Sequence, residues 1–344
     1  MEEIIEKSND WIIILDESVE FGHEKLLVIY GVRSSQIEFN RALNYKDLTP
    51  LSIIAGEKWT GKLIKNEIKK IKAKVGEIIY AVADGGNAIK NSLKLADIPH
   101  IYDVTHKFAW FLKKIYQKEN DFVSYTKTMA AMRKTLCISN VSHILPPNQR
   151  CHSRFMNLEI ISDWGLKVLN YLNYSKNNER EYLKLKWVYE FKELIKELSQ
   201  VSKAINNIMA IVKTEGLSEK SIKKSIKKLK LIMVDNQRTR ELKNTIIKYL
   251  KGCKKSIPKY DKILCTSDII ESSFGKYKNY INQNPMTGIT NLSLCISAFT
   301  GKIDAYNVKK AMESSRNIDV AHWTKNNIGK TNLAKRKAIL KKEG

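Results

Sequence analysis

The apolar run Trp11-Ile12-Ile13-Ile14-Leu15 stops at Asp16, and a second run, residues 78–83, stops at Asp84. Solid β-branched runs of this kind suit central strands buried on both faces, and a charge at the end of such a strand borders solvent or a site. Between the two runs, residues 26–32 and 51–54 read as second and third strands, the first joined through a turn across 17–25 that contains Gly22. Ile64, Ile68, Ile71 and Val75 then mark one face of a helix whose other face carries Lys62, Lys65, Lys69, Lys70 and Lys72, and Gly76 ends it. A strand–helix–strand crossover favours parallel neighbours. The expected fold is therefore α/β: three antiparallel strands extended by two parallel ones, flanked by helices. Asp16 and Asp84 fall at one carboxyl edge, where open α/β sheets place their ligands.

A short helix over 88–96 leads through Pro99 to a further strand, 100–102, which ends at Asp103-Val104-Thr105-His106. Phe108, Trp110 and Phe111 begin another helix, with Trp110 read as a buried aromatic rather than a base-stacking surface. Residues 118–262 are helical in period without a convincing strand. Trp187, Phe191, Leu194, Ile195 and Leu198 form one stripe there, and Ile222, Ile226, Leu229 and Met233 another. Pro146-Pro147 and Gly216 interrupt the helices. Lysines crowd the polar faces, Lys220, Lys223, Lys224, Lys227, Lys228 and Lys230 among them.

The charge narrows the partners. Sixty Lys and Arg against 36 Asp and Glu leave +24, which points to a polyanion, nucleic acid before an anionic membrane surface. No apolar run approaches the length that spans a bilayer or forms a signal peptide. The five cysteines are scattered, with no C-x-x-C pair, so neither a disulfide framework nor a standard zinc site is expected, and a reducing intracellular setting fits. Cys137, His143, Cys151 and His152 match no common metal spacing and read as ordinary thiols and imidazoles.

Far downstream, the stretch 265–278 places Asp268 and Glu271 three apart, on one helical face, with Phe274 and Gly275 where a compensating Lys would stand. Like charges at that spacing ask for a cation. Lys276 and Lys278 follow on the same helix, within reach of phosphate, and Gly275 lets a backbone come close. Asp16, Asp84 and Glu271 thus have separate addresses and one meeting point, with Asp268 as the rival to Glu271 or merely a partner of the helix N-terminus. Phosphodiester chemistry uses such a set: two divalent ions about 3.5–4 Å apart activate the attacking oxygen and stabilise the leaving one. Mg²⁺, or Mn²⁺ in its place, suits hard carboxylate ligands. After residues 285–288, a turn, residues 292–299 begin an apolar helix, and 330–344 form a basic tail that includes Lys335, Arg336, Lys341 and Lys342.

The order of elements, with Asp on the first strand, Asp after the fourth and Glu on a late helix, resembles the RNase H-like catalytic core of DDE transposases. Asp103-x-x-His106 is similar to the D-x-x-H element of the hAT- and Mutator-type branch, whose members carry an all-helical insertion before the Glu. The run from Ser267 to Lys278 is similar to the Glu-bearing helix of bacterial transposases of this kind. The resemblance implies core segments at 1–117 and 263–300, a helical insertion at 118–262 and a basic tail at 301–344. It implies an Mg²⁺-dependent enzyme of DNA nicking and strand transfer, working on transposon ends and target DNA as a homodimer or larger assembly, cytoplasmic and nucleoid-associated. Asp16, Asp84 and Glu271 would be catalytic metal ligands, and His106 a site-orienting or substrate-contacting group with Asp103 as its hydrogen-bond partner. Lys223, Lys224, Lys227, Lys276, Lys278, Lys335 and Arg336 would contact DNA. Alternatives are a nuclease or resolvase that cuts without joining, and a DNA-binding remnant without catalysis. Relatives carry a DNA-recognition domain ahead of the first strand, whereas fifteen residues precede Asp16. Either the insertion and tail recognise DNA, or the chain is a shortened copy.

Overall fold

The computed structural model describes residues 5–19, 24–139, 141–148, 155–156, 158–174, 180–281, 288–300 and 304–340. Gly22, Cys151-His152, residues 285–287, Lys341 and Lys342 lie outside them. The chain divides into two units, Met1–Asp103 with Leu264–Gly344, and Val104–Ile263.

The first unit is built on five strands: β1 (Ser8–Val19), β2 (Lys25–Arg33), β3 (Thr49–Gly56), β4 (Gly76–Ala83) and β5 (His100–Tyr102). Their order is β3-β2-β1-β4-β5, antiparallel from β3 to β1 and parallel from β1 to β5, the mixed sheet expected from the sequence. One expectation needs correction. β1 does not stop at Asp16; it continues to Val19 because β2 pairs with it as far as Val19↔Lys25. Its pairing with β4 ends at Leu15↔Ala83, so Asp16 is inside the sheet on one side and at its carboxyl edge on the other.

Helices α1 (Gly61–Val75) and α2 (Asn87–Leu95) cover one face. Ile64, Ile68, Ile71 and Val75 pack there with Trp11, Ile13 and Leu15 of β1 and Ala81 and Ala83 of β4. The Thr60 hydroxyl caps α1 by accepting from the Leu63 N–H. Gly76 closes α1 at φ +98°, and a Cβ there would meet the Ser8 carbonyl oxygen at 2.2 Å, so only glycine lets the chain turn into β4 against β1.

The second unit is helical: α3 (Val104–Tyr116), α4 (Asn120–Leu136), α5 (Leu158–Tyr174), α6 (Arg180–Leu185), α7 (Lys192–Glu215), α8 (Glu219–Lys228) and α9 (Gln237–Ser256). α7 is its axis, burying Leu194, Ile195, Leu198, Val201, Ile208 and Val212 and packing against α5 and α8. Two expectations are corrected here. The stripe to Met233 breaks, because α8 ends at Lys228, a 3-10 turn follows and Met233 is 76% exposed. Trp110 is 51% exposed rather than buried, with the Lys107 ammonium 4.5 Å from its ring centroid, so the interior contacts of α3 are made by Phe108 and Phe111 instead.

The chain then returns to the first unit through α10 (Asp268–Ile281), the single turn α11 (Cys295–Ala298), α12 (Ala305–Ser314), α13 (Asn317–Asn327) and α14 (Asn332–Leu340). The apolar helix expected over 292–299 is a 3-10 turn followed by α11. The described part of the basic tail is ordered as α14, where Lys335 pairs with Glu24 at 3.0 Å. Among the described residues no helix is long and apolar enough to cross a membrane.

Candidate active site

Alternation along a strand sends every second side chain to the same face. Ile12 and Ile14 of β1, Tyr30 of β2, and Tyr80 and Val82 of β4 point away from α1 and are fully or almost fully buried. The same alternation continues to Asp16 on β1 and to Asp84 after β4. α10 and the segment leading into it lie on this face. The Tyr30 hydroxyl is 3.1 Å from Ser273 Oγ, the Leu264 N–H donates to the Tyr80 hydroxyl at 2.9 Å, and α10 packs against β1. Burial pushes the Tyr30 phenol up to about 12.

Three strands lie side by side here, with β4 and β5 ending and β1 running on along β2 to Val19. Leu15 pairs with Ala83 and Ala83 with Tyr102, so Asp16, Asp84 and Asp103 directly follow paired positions on neighbouring strands about 4.8 Å apart. Both half-buried aspartates accept from nearby backbone: Asp16 Oδ1 from the Glu17 N–H at 2.7 Å, Asp84 Oδ1 from the Gly86 N–H at 2.9 Å. A Cβ on Gly86 would stand 3.0 Å from that same Asp84 oxygen, so glycine leaves the carboxylate its place. His100 stacks on Tyr102 at 4.2 Å, and burial pushes its imidazole below the usual histidine value while the Asp84 carboxylate pulls it up.

Asp103 is 1% exposed and brings α10 to this edge: its Oδ2 accepts from the Ser267 N–H at 2.6 Å and from the Ser267 hydroxyl at 3.0 Å. Ser267 immediately precedes α10, and one turn later stands Glu271, about 6 Å along the axis. Asp268 and Glu271 both sit in the first turn of α10. There the positive end of the helix offsets about 0.3–1 kcal/mol per carboxylate, against about 0.2–0.5 kcal/mol of repulsion between them. The pair is therefore tolerated without a cation, and it does not by itself require a metal. Among the described residues no three His, Cys, Asp or Glu side chains gather as a ligand set. The donors at the edge are all carboxylates, the hard oxygens that Mg²⁺ takes.

The remaining residues singled out from the sequence are dispersed. His106 is half-buried on the first turn of α3, in the helical unit, whereas Asp16, Asp84, Asp103 and Glu271 belong to the first unit. On α8, Lys223 and Lys227 are exposed, while Lys224 is paired to Glu215 at 2.6 Å. Lys278 and Arg336 are exposed. Sequence reasoning gave neither Ser267 nor Gly86 a role of its own. A serine just ahead of an apolar helical period is a start signal that marks the first; the second carries no local signal, because its role is to leave room for Asp84.

No protein-family model matches the chain, and no curated protein matches it. Among solved structures it is similar to the Drosophila P element transposase strand transfer complex, at 10% sequence identity and a TM-score of 0.43, over 84% of this chain and 76% of that one.

Proposed function

We propose that this chain is a DNA transposase with an RNase H-like core, in which Asp16, Asp84 and Glu271 act on a phosphodiester. The observation that carries the reading is the register Leu15↔Ala83↔Tyr102, which sets Asp16 and Asp84 side by side at the carboxyl edge with the start of α10 tied to that edge through Asp103. Three carboxylates from distant parts of a chain of net charge +24 suit a polyanionic substrate handled through cations. Asp16, Asp84 and Glu271 would hold two Mg²⁺ or Mn²⁺ ions, which supply charge neutralisation and an activated oxygen when bound. Asp103 would position the Glu271 helix rather than bind metal. The exposed Lys223, Lys227, Lys278 and Arg336 would contact DNA phosphates, with Lys224 and Lys335 exchanging a carboxylate for a phosphate. Half-exposed pairs of that kind are worth little and exchange readily.

The direct test is nicking of supercoiled plasmid by the full chain with Mg²⁺ or Mn²⁺, together with joining of a short duplex that carries a free 3′-hydroxyl. Asp16→Asn and Glu271→Gln should each reduce both activities to background. Undiminished activity in both variants would overturn the assignment, and nicking without joining would make the chain a nuclease or resolvase. A second reading, DNA binding without catalysis, is favoured by the ungathered carboxylates, and its signature is salt-sensitive plasmid binding with no cleavage at any metal concentration.

A further inference from the structure

Along α10, Ser272, Lys276 and Tyr280 recur every four residues and form one solvent-facing row. The Tyr45 hydroxyl donates to Ser272 Oγ at 2.7 Å, which fixes its ring over the helix. The Lys276 ammonium stands 3.8 Å from the Tyr45 ring centroid and 5.5 Å from that of Phe299. Phe299 is in turn stacked on Tyr280, with centroids 6.2 Å apart and planes at 19°, and Tyr280 is 62% exposed. Two rings from separate parts of the unit thus flank one cation at the surface, a third stacks on one of them, and none of the carboxylate chemistry uses them.

We propose that this cluster is a binding site for unpaired bases of single-stranded DNA. Every base has a face that stacks on an exposed aromatic ring, whereas bases in a duplex are already stacked and gain nothing. The Lys276 ammonium, held over the rings, is placed to meet the phosphate that accompanies such a base. The row begins one residue after Glu271 and reaches Tyr280 about 14 Å along the helix axis, and a Cβ on Gly275 would meet nothing within 4 Å, so the surface between is open to a backbone. A strand with one phosphate at Glu271 would lay its next unpaired bases on Tyr280 and Phe299. The site therefore rests on the proposed function for its role in the reaction, but its binding chemistry is its own.

The test is fluorescence anisotropy of the full chain with a labelled oligo-dT of about fifteen nucleotides, and with a duplex of equal length, in EDTA so that no cleavage contributes. Tyr280→Ala should weaken oligo-dT binding about ten-fold and leave duplex binding within about two-fold, and Tyr280→Phe, which keeps the ring, should bind oligo-dT as the parent does. Because Tyr280 is largely exposed, the alanine variant keeps the fold. Failure of the parent to bind oligo-dT, an unchanged affinity in Tyr280→Ala, or an equal loss on the duplex would each overturn the site. The readout needs no metal, so plasmid nicking that fails while the Tyr280 effect persists would remove the transposase reading and leave this site standing.

Discussion

Asp103, at the end of β5, accepts two hydrogen bonds from Ser267, more than 160 residues away in sequence, through a single carboxylate oxygen. Ser267 is 3% exposed, so neither donor has water to turn to. Asp103→Ala should destabilise the first unit by about 3 kcal/mol, the penalty for a charge-assisted pair whose buried donors are left unmet. Asp103→Asn retains an acceptor and should cost about half as much. Urea denaturation of the full chain measures both, and an Asp103→Ala variant that unfolds with the parent would show that α10 is held by its apolar contacts alone.

The backbone of this edge was legible because its signals are local. A solid β-branched run followed by Asp occurs twice, with an amphipathic helix between, and that pattern leaves little choice but parallel strands with both acids at one end. What ties the start of α10 to this edge was not legible. The Asp103–Ser267 bond depends on a contact across more than 160 residues, and no periodicity reports it. The extension of β1 to Val19 was missed for the opposite reason: Asp16 is a poor strand residue, but pairing with β2 overrides local propensity. The polar pairs of Lys224 and Lys335 were hidden because their partners, Glu215 at the end of α7 and Glu24 just before β2, lie outside the helices that carry the lysines.

Two glycines near the site make opposite predictions. Gly86 has φ −56°, so alanine fits its backbone, but the new Cβ would stand 3.0 Å from Asp84 Oδ1 and move the carboxylate by some tenths of an ångström. If Asp84 acts on the phosphodiester as proposed, misplacing it is costly, and Gly86→Ala should lower plasmid nicking by about ten- to a hundred-fold with little change in stability. Gly275 lies inside α10 with nothing within 4 Å of an added Cβ, so Gly275→Ala should stabilise the protein by about 0.5–1 kcal/mol. Thermal melting and the nicking assay, run on both, separate the two effects; a Gly86→Ala variant with parental activity would show that Asp84 is not confined by this turn.

At the other end of β1, Asp10 is a centre of acid sensitivity. Burial works to raise its carboxyl, but hydrogen bonds from the Ser8 hydroxyl, the Ser35 residue and the Arg33 guanidinium together hold it well below the usual carboxylate range. A carboxyl whose pKa is lower folded than unfolded stabilises the fold above its unfolded value, near 3.9, and that contribution drains away as pH falls toward the folded value. Stability of the parent should therefore fall between about pH 4 and pH 2 more steeply than that of Asp10→Asn, which has no such proton to bind. Denaturation midpoints taken at intervals from pH 6 downward test this, and parallel curves for the two proteins would exclude Asp10 as a source.

In the helical unit, Glu197 of α7 has a side chain only 3% exposed, and three side chains from two other elements meet it. The Tyr116 hydroxyl of α3 donates to Oε1 at 2.7 Å, and Asn236 Nδ2 and Arg238 Nη2, at the start of α9, donate to Oε2 at 2.7 and 3.0 Å. Arg238 also reaches both oxygens of Asp121 on α4 at 2.8 Å, so a single guanidinium ties α4, α7 and α9 together. Burying a pair costs nearly as much desolvation as its attraction returns, but removing one partner strands the other. Arg238→Met should therefore destabilise the unit by about 3–5 kcal/mol, and Glu197→Gln by less, since its amide can still accept from Tyr116. The double variant should be more stable than the sum of the two losses implies, by about 1 kcal/mol or more, because no buried charge is then left unpaired. Hydrogen exchange at the amides of α7 and α9 gives the local readout, with faster exchange in each single variant and partial recovery in the double. Strictly additive losses would mean that Glu197 and Arg238 act through separate contacts rather than through each other.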